Sequence, residues 1–428
     1  MLARRIRYAS HVVDGTTERG WLPLITDPDR RAAIAAVIVD VVAQITDWRR
    51  AHEATSENEA DYATLRIYTA TDDTVPDPDD EAGQALAAAV TGIATSSSPA
   101  LFGGAARVAF AVGHLSGGED ADLACEMIER SLLRFIETPS ASYDLISGYV
   151  GIAVPVLQRI ADGKPSPSSE PLARGILGHL ERLARRTPAG LSWHTPPELL
   201  PPWQAELAPA GYTNLGLAHG IPGVVAILAR YIAADLDAAR ARTLLDGAVA
   251  YLRSVAQPRV GSRYPAWLPT TGESTSRVAW CYGDLGVAVA LMSAATITGR
   301  ADWRADALEL AHGMAARPFE ASQAIDTGLC HGAAGVAHLF NRLAQASGDD
   351  GLTRAADAWF GHTLAMRRSE PIAGFPRAVP AGGVIGYEPG ADLLTGATGV
   401  ALALHAAISP IEPAWDQLLL ADLSPAHT

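Results

Sequence analysis

One short unit recurs along most of the chain: two glycines three residues apart, followed at once by an apolar run. It stands as SGYVGIAVPVL at Ser147, HGIPGVVAILA at His219, YGDLGVAVALM at Tyr282, HGAAGVAHLF at His331 and TGATGVALAL at Thr395. A weaker copy, FGGAARVAFAV at Phe102, has Ala106 where the second glycine is expected. The first glycines fall at 103, 148, 220, 283, 332 and 396, so the units are 45 to 72 residues apart. That spacing holds two helices and a loop of variable length, and such repeats stack to share one core.

The segments between the units have helical periodicity. Asp120–Glu137, Glu170–Arg186, Asp237–Val255, Ala301–Ala316 and Gly351–Arg367 each place apolar residues on one stripe, with Arg, Asp and Glu between. That is the pattern of a half-exposed helix. The runs behind the glycines are nearly free of charge in their first turns, which predicts helices buried all round. Polar and apolar helices in alternation, with few strand signals, predict an all-α chain. The expected architecture is an α/α toroid of about six helix pairs in two concentric layers.

The expected domain division is 1–81, a helical and extended N-terminal segment, and 82–428, the barrel. A helix is predicted from Asp29 to His52, followed by a polar stretch and the acidic connector TATDDTVPDPDDEAG. The stretches 187–212, 259–276 and 371–392 are long and rich in Pro, Gly and aromatics, and loops of that length in a compact fold usually carry function.

Charge and cysteine usage narrow the function. Of 428 residues, 33 are basic and 47 acidic, a formal charge of −14, which argues against nucleic acid as partner. Lys164 is the one lysine, a compositional bias with no functional meaning. The stretch MLARRIRYASHVVDGTTERG has no apolar signal core, and AAIAAVIV stops at Asp40, far short of the ~18 apolar residues that span a bilayer. A cytoplasmic protein is expected. The three cysteines, Cys125, Cys281 and Cys330, are too few for a disulfide framework.

Two of those cysteines share a register. Cys281 stands two residues before Gly283 and Cys330 two before Gly332, with His331 next to it. Equivalent positions of neighbouring repeats meet at one end of a ring of helices. Two thiolates and one imidazole make a three-ligand zinc site with a fourth position open, as a catalytic zinc requires. Cys125, with no matching partner, is expected in the core. His219 has the same register one repeat earlier and suits a fourth ligand, an acid/base group or a cap. Asp144, four residues before Gly148, suits a carboxylate that orients His219 or a helix cap. Arg277 precedes Cys281 by four residues, and Trp280 and Tyr282 flank that cysteine. A guanidinium there can bind a carbonyl or a developing oxyanion.

The set SYDLISGYVG, LAHGIPGVV, RVAWCYGDLG and LCHGAAGVAHL resembles the lanthipeptide cyclases, the LanC-like family, from about Leu101 to His405. Leu285 stands where that family often has proline, and Thr395 where its last motif is usually acidic. The resemblance implies an α/α barrel and one zinc held by Cys281, Cys330 and His331. It places Asp144, His219, Arg277 and Tyr282 in the active site. It also implies that the enzyme closes thioether rings in a ribosomally made precursor peptide, by adding cysteine thiolates to dehydroalanine or dehydrobutyrine made by a dehydratase. A catalytically idle scaffold for the same partners and a glutathione-adding relative are the alternatives.

Overall fold

A computed structural model describes residues 20–94, 97–258, 261–270, 275–381 and 384–426; the N-terminal stretch read above for a signal lies outside the described residues. In chain order the helices are α1 (Pro28–Ala51), α2 (Ser56–Thr71), α3 (Glu81–Ile93), α4 (Ala105–Leu115), α5 (Glu119–Ile136), α6 (Tyr149–Ala161) and α7 (Ser169–Leu183). After them come α8 (Pro202–Leu207), α9 (Ile221–Ala233), α10 (Ala238–Val255), α11 (Asp284–Thr298), α12 (Ala301–Ala315), α13 (Ala333–Ser347), α14 (Asp350–Ala365) and α15 (Ala397–Ile408). Strands occur only as two-stranded antiparallel pairs among the described residues: β1 (Arg185–Thr187) with β2 (Gly190–Ser192), β3 (Thr213–Asn214) with β4 (Trp267–Leu268), and β5 (Arg377–Ala381) with β6 (Val384–Glu388).

The contacts close into a double ring. Helices α2, α4, α6, α9, α11, α13 and α15 each pack against the next, and α15 returns to α2. Each has an outer partner: α3, α5, α7, α10, α12, α14 and, behind α15, α1. This is an α/α toroid, with seven inner positions among the described residues. The inner helices after the glycine units are buried on every side, whereas the outer ones bury a single stripe, such as Leu244, Leu245, Ala248, Val249 and Leu252 of α10. A helix apolar all round belongs between other helices, and an amphipathic one belongs outside.

The seventh inner position is filled by α2, where the sequence predicted only a polar stretch. Its buried charged residues, Glu59, Asp61 and Arg66, each find a partner. Arg49 binds Glu59 at 2.6 Å, Arg66 binds Asp77 at 2.7 Å, and Arg107 binds Asp61 at 2.6 Å. Paired charges lose the penalty that keeps lone ones at the surface, so composition alone concealed this helix.

The first repeat has a different register from the one its sequence suggests. Gly104, and not Gly103, occupies the capping position before α4. The residue three places on is therefore Arg107, which takes the place of a second glycine and reaches Asp61.

The residues after α15 turn into the toroid. A 3-10 turn, Ala414–Leu419, buries Trp415 completely and touches α6. Its Asp416 accepts from Arg342 at 2.6 Å and pairs with His338 at 2.7 Å, both on α13. Arg230 of α9 donates to the Gln417 carbonyl, and the indole N–H of Trp280 donates to that of Leu419. Contacts from several inner helices at once make this segment the floor of the lumen. No helix among the described residues is long and apolar enough to cross a membrane.

Candidate metal and active site

A hoop of hydrogen bonds at one end of the toroid positions the loops that precede the inner helices. The Phe102 N–H donates to the Ile146 carbonyl, Leu145 to Ala218, Ala218 to Cys281, Cys281 to Cys330 and Cys330 to Leu394, at 2.8 to 3.4 Å. Five of the six loops thus contribute the residue two places before their capping glycine as an acceptor. At the seventh position, where α2 has no such loop, the Asp61 carboxylate accepts from Leu393 N–H at 2.8 Å. The second glycine of each unit admits this arrangement: a Cβ there would lie 2.0 to 2.5 Å from the carbonyl oxygen of the preceding loop in all five regular copies.

The hoop makes Cys281 and Cys330 direct neighbours, since one donates its N–H to the other's carbonyl at 3.1 Å. The donor atoms of Cys281, Cys330 and His331 lie within 4.8 Å of one another, a cluster able to hold a metal ion. A hydrogen bond from the Cys330 thiol, reinforced by His331 and Arg277 against the cost of burial, lowers the Cys281 thiol to about 5. The same hydrogen bond, together with burial, pushes Cys330 well up. One proton is thus shared unequally between the two sulfurs. Burial disfavours charge on His331, yet Asp326 and the Cys281 thiolate outweigh it and raise the imidazole to about 9. Two sulfurs and one imidazole are a donor set that fits zinc.

His219 lies one loop along. It is outside the three-donor cluster, and its Nδ1 is held by the Asp144 carboxylate at 2.6 Å. Asp144 also accepts from Ser147 N–H at 2.9 Å, so it caps and orients at the same time. Burial works against the imidazolium, but the Asp144 contact and then its charge prevail, and His219 is raised above the ordinary histidine value. The ring is half-exposed, and its Nδ1 is the nitrogen that meets Asp144.

Tyr282 packs against His219 with ring centroids 6.2 Å apart and meets the edge of Trp267 at 6.4 Å. Burial raises its phenol. Arg277 is half-buried, its charge acts on both sulfurs, and no carboxylate pairs with it among the described residues. Cys125 is buried on α5, where burial pushes its thiol up to about 11, so it is core as expected. Leu285 is wholly buried, and Thr395 donates to Asp392, a carboxylate three residues earlier in the register of Asp144.

Three polar residues at this end were not singled out from the sequence. Asp326 stands six residues before Gly332, as Arg277 does before Gly283 and Asn214 before Gly220, so a common offset was the available signal. Asn214 donates to the Tyr282 hydroxyl at 3.4 Å. Glu57, in the first turn of α2, accepts from Gly103 and is raised to about 7 by burial and then by Asp61. Nothing in the sequence pointed to Glu57, because α2 lacks the repeat. Of the loop 259–276, residues 259–260 and 271–274 lie outside the described residues.

Residues 62–420 match the family described as lanthionine synthetase C-like protein. Among solved structures the chain is similar to a nisin cyclase, with a TM-score of 0.70 and 18% identity over 90% of this chain and 96% of that one. No curated protein matches.

Proposed function

The chain belongs to the lanthionine synthetase C-like family, and from that premise we propose that it closes thioether rings in a ribosomally made peptide. The substrate is a precursor in which a separate dehydratase has turned Ser and Thr into dehydroalanine and dehydrobutyrine. One observation carries this reading: a Cys281, Cys330 and His331 donor cluster on the same rim as a His219–Asp144 pair. A thiol-activating centre and a proton donor are the two things that adding S–H across an alkene needs.

Zinc held by Cys281, Cys330 and His331 would supply the Lewis acidity that keeps a cysteine thiol ionised at neutral pH. The substrate thiolate attacks the β-carbon, a C–S bond forms, and the alkene electrons move to the carbonyl oxygen as an enolate. Arg277 binds that oxygen as its charge grows; its guanidinium charge already acts on the Cys281 sulfur. His219, charged through Asp144, donates the Nε2 proton to the α-carbon and recovers one from solvent, replacing the proton the thiol released. Asp144 keeps Nδ1 protonated and so fixes which nitrogen does the work. Tyr282 packs beside the His219 ring and limits its tilt.

The test is ring closure itself. A dehydrated, cysteine-containing peptide treated with the protein and then with a thiol-alkylating reagent should lose its alkylatable thiol at unchanged peptide mass. Cys330→Ala should stop this. Binding of the peptide with no loss of thiol by the zinc-loaded protein would refute the reading and leave an idle scaffold.

A further inference from the structure

The Asp326 carboxylate has the least expected position near the cluster. Its side chain is 1% exposed, and its Oδ2 lies 3.3 Å from His331 Nε2. The Gly328 N–H donates to Oδ1 at 3.3 Å, and the Ala378 N–H, at the foot of the β5–β6 hairpin, donates to Oδ2 at 3.3 Å. No arginine or lysine pairs with it among the described residues. A buried carboxylate without a fixed cation is costly, and two weak backbone contacts are a modest return. Among the described residues, the imidazole is the ionisable group beside it that gains from an anion.

We infer that Asp326 is a positioning residue for the metal centre: it takes the Nε2–H of His331, fixes the ring, and leaves Nδ1 as the nitrogen that faces the two sulfurs. This rests on the reading of Cys281, Cys330 and His331 as a zinc site. A carboxylate behind a ligating histidine sets its tautomer and raises its basicity, and losing one typically costs 10- to 100-fold in metal affinity. The loop geometry supports the assignment. A Cβ on Gly332 would lie 2.4 Å from Asp326 Oδ1, so the turn carrying Cys330 and His331 is folded tightly around this carboxylate. Its partner in register, Arg277, carries a cation whose charge acts on both sulfurs, so equivalent positions of neighbouring repeats supply opposite charges.

The experiment compares zinc affinity, by competition with a chromophoric chelator, in the full-length wild type, Asp326→Asn and Arg377→Ala. Arg377→Ala loosens the foot of the hairpin through Glu388 without touching His331. The expected result is a 10- to 100-fold loss for Asp326→Asn and a change within twofold for Arg377→Ala. Nitrogen-15 NMR of the zinc-loaded wild type should show His331 metallated at Nδ1 and protonated at Nε2, a readout that does not depend on how the variant folds. Equal affinity in a folded Asp326→Asn, a matching loss in Arg377→Ala, or metallation at Nε2 would overturn the assignment. A wild type that takes up no zinc would overturn the metal reading itself.

Discussion

Gly335→Ala should disturb the centre more than its single added carbon suggests. A Cβ at this position would lie 2.0 Å from the Leu329 carbonyl oxygen and 2.6 Å from its carbon. Real Cβ atoms essentially never come closer than 3.0 Å to another heavy atom, so that carbonyl must retreat by at least about 1 Å. Leu329 adjoins Cys330, whose N–H and carbonyl are both engaged in the hoop, at 2.8 Å to Leu394 and 3.1 Å from Cys281. A shift of that size would lengthen at least one of these bonds past its useful range. Overpacking of this kind costs about 1–3 kcal/mol, and each lost hydrogen bond adds roughly 1 kcal/mol. The expected loss is therefore about 2–4 kcal/mol in urea unfolding, with zinc affinity down by about tenfold or more, because one sulfur moves with the loop. Gly361→Ala is the matched control: nothing lies within 4 Å of its Cβ, it is mid-helix in α14, and it should stabilise by about 0.5–1 kcal/mol. If Gly335→Ala unfolded within 0.5 kcal/mol of wild type and held zinc equally well, the hoop would not be what fixes the sulfurs.

Four further outcomes are expected. His219→Asn should keep zinc but slow ring closure by ~100-fold or more, with Asp144→Asn less than additive to it, as rates on dehydrated peptide would show. The raised His219 value means the acid form persists above its unfolded value near 6.5 and is lost as pH rises through the folded one; Asp144→Asn should therefore move the alkaline fall in kcat/KM to lower pH, and an unmoved limb would remove Asp144 from the proton path. Asp61→Ala should cost about 3–5 kcal/mol by stranding the fully buried Arg107, and Asp61→Leu with Arg107→Met should recover most of that, both read by chemical unfolding. In the fourth, adding a Cys-bearing substrate should raise the sulfurs around zinc from two to three by X-ray absorption, near ~2.3 Å, while a Ser analogue should not.

The toroid and the three donors were legible because the repeat carries them at a fixed offset from glycine. Cys281 and Cys330 pair from sequence alone, since a shared register makes neighbours in a ring. The first repeat sits one residue later than its sequence suggests, because two adjacent glycines, Gly103 and Gly104, offer two registers and Arg107 does not look like a substitute for glycine. Its side chain reaches Asp61 on α2. The helix α2 itself was hidden by Glu59, Asp61 and Arg66, whose partners are far apart in sequence or lie across a turn. Asp326 shares its six-residue offset with Arg277 and Asn214, but an offset does not show what backs onto His331.

The hoop also separates where a side chain stands from what it is. Its links are main-chain groups in every loop, so each slot is held at the same height whichever residue fills it, and a slot can change its chemistry without a change of frame. Ala218 occupies the slot on the far side of Cys281 from Cys330, joined to Cys281 by the same kind of bond at 3.4 Å. A thiol placed there by Ala218→Cys would flank Cys281 as Cys330 does on its other side. The rim therefore behaves as a row of interchangeable sockets, in which one codon separates a three-donor centre from a four-donor one.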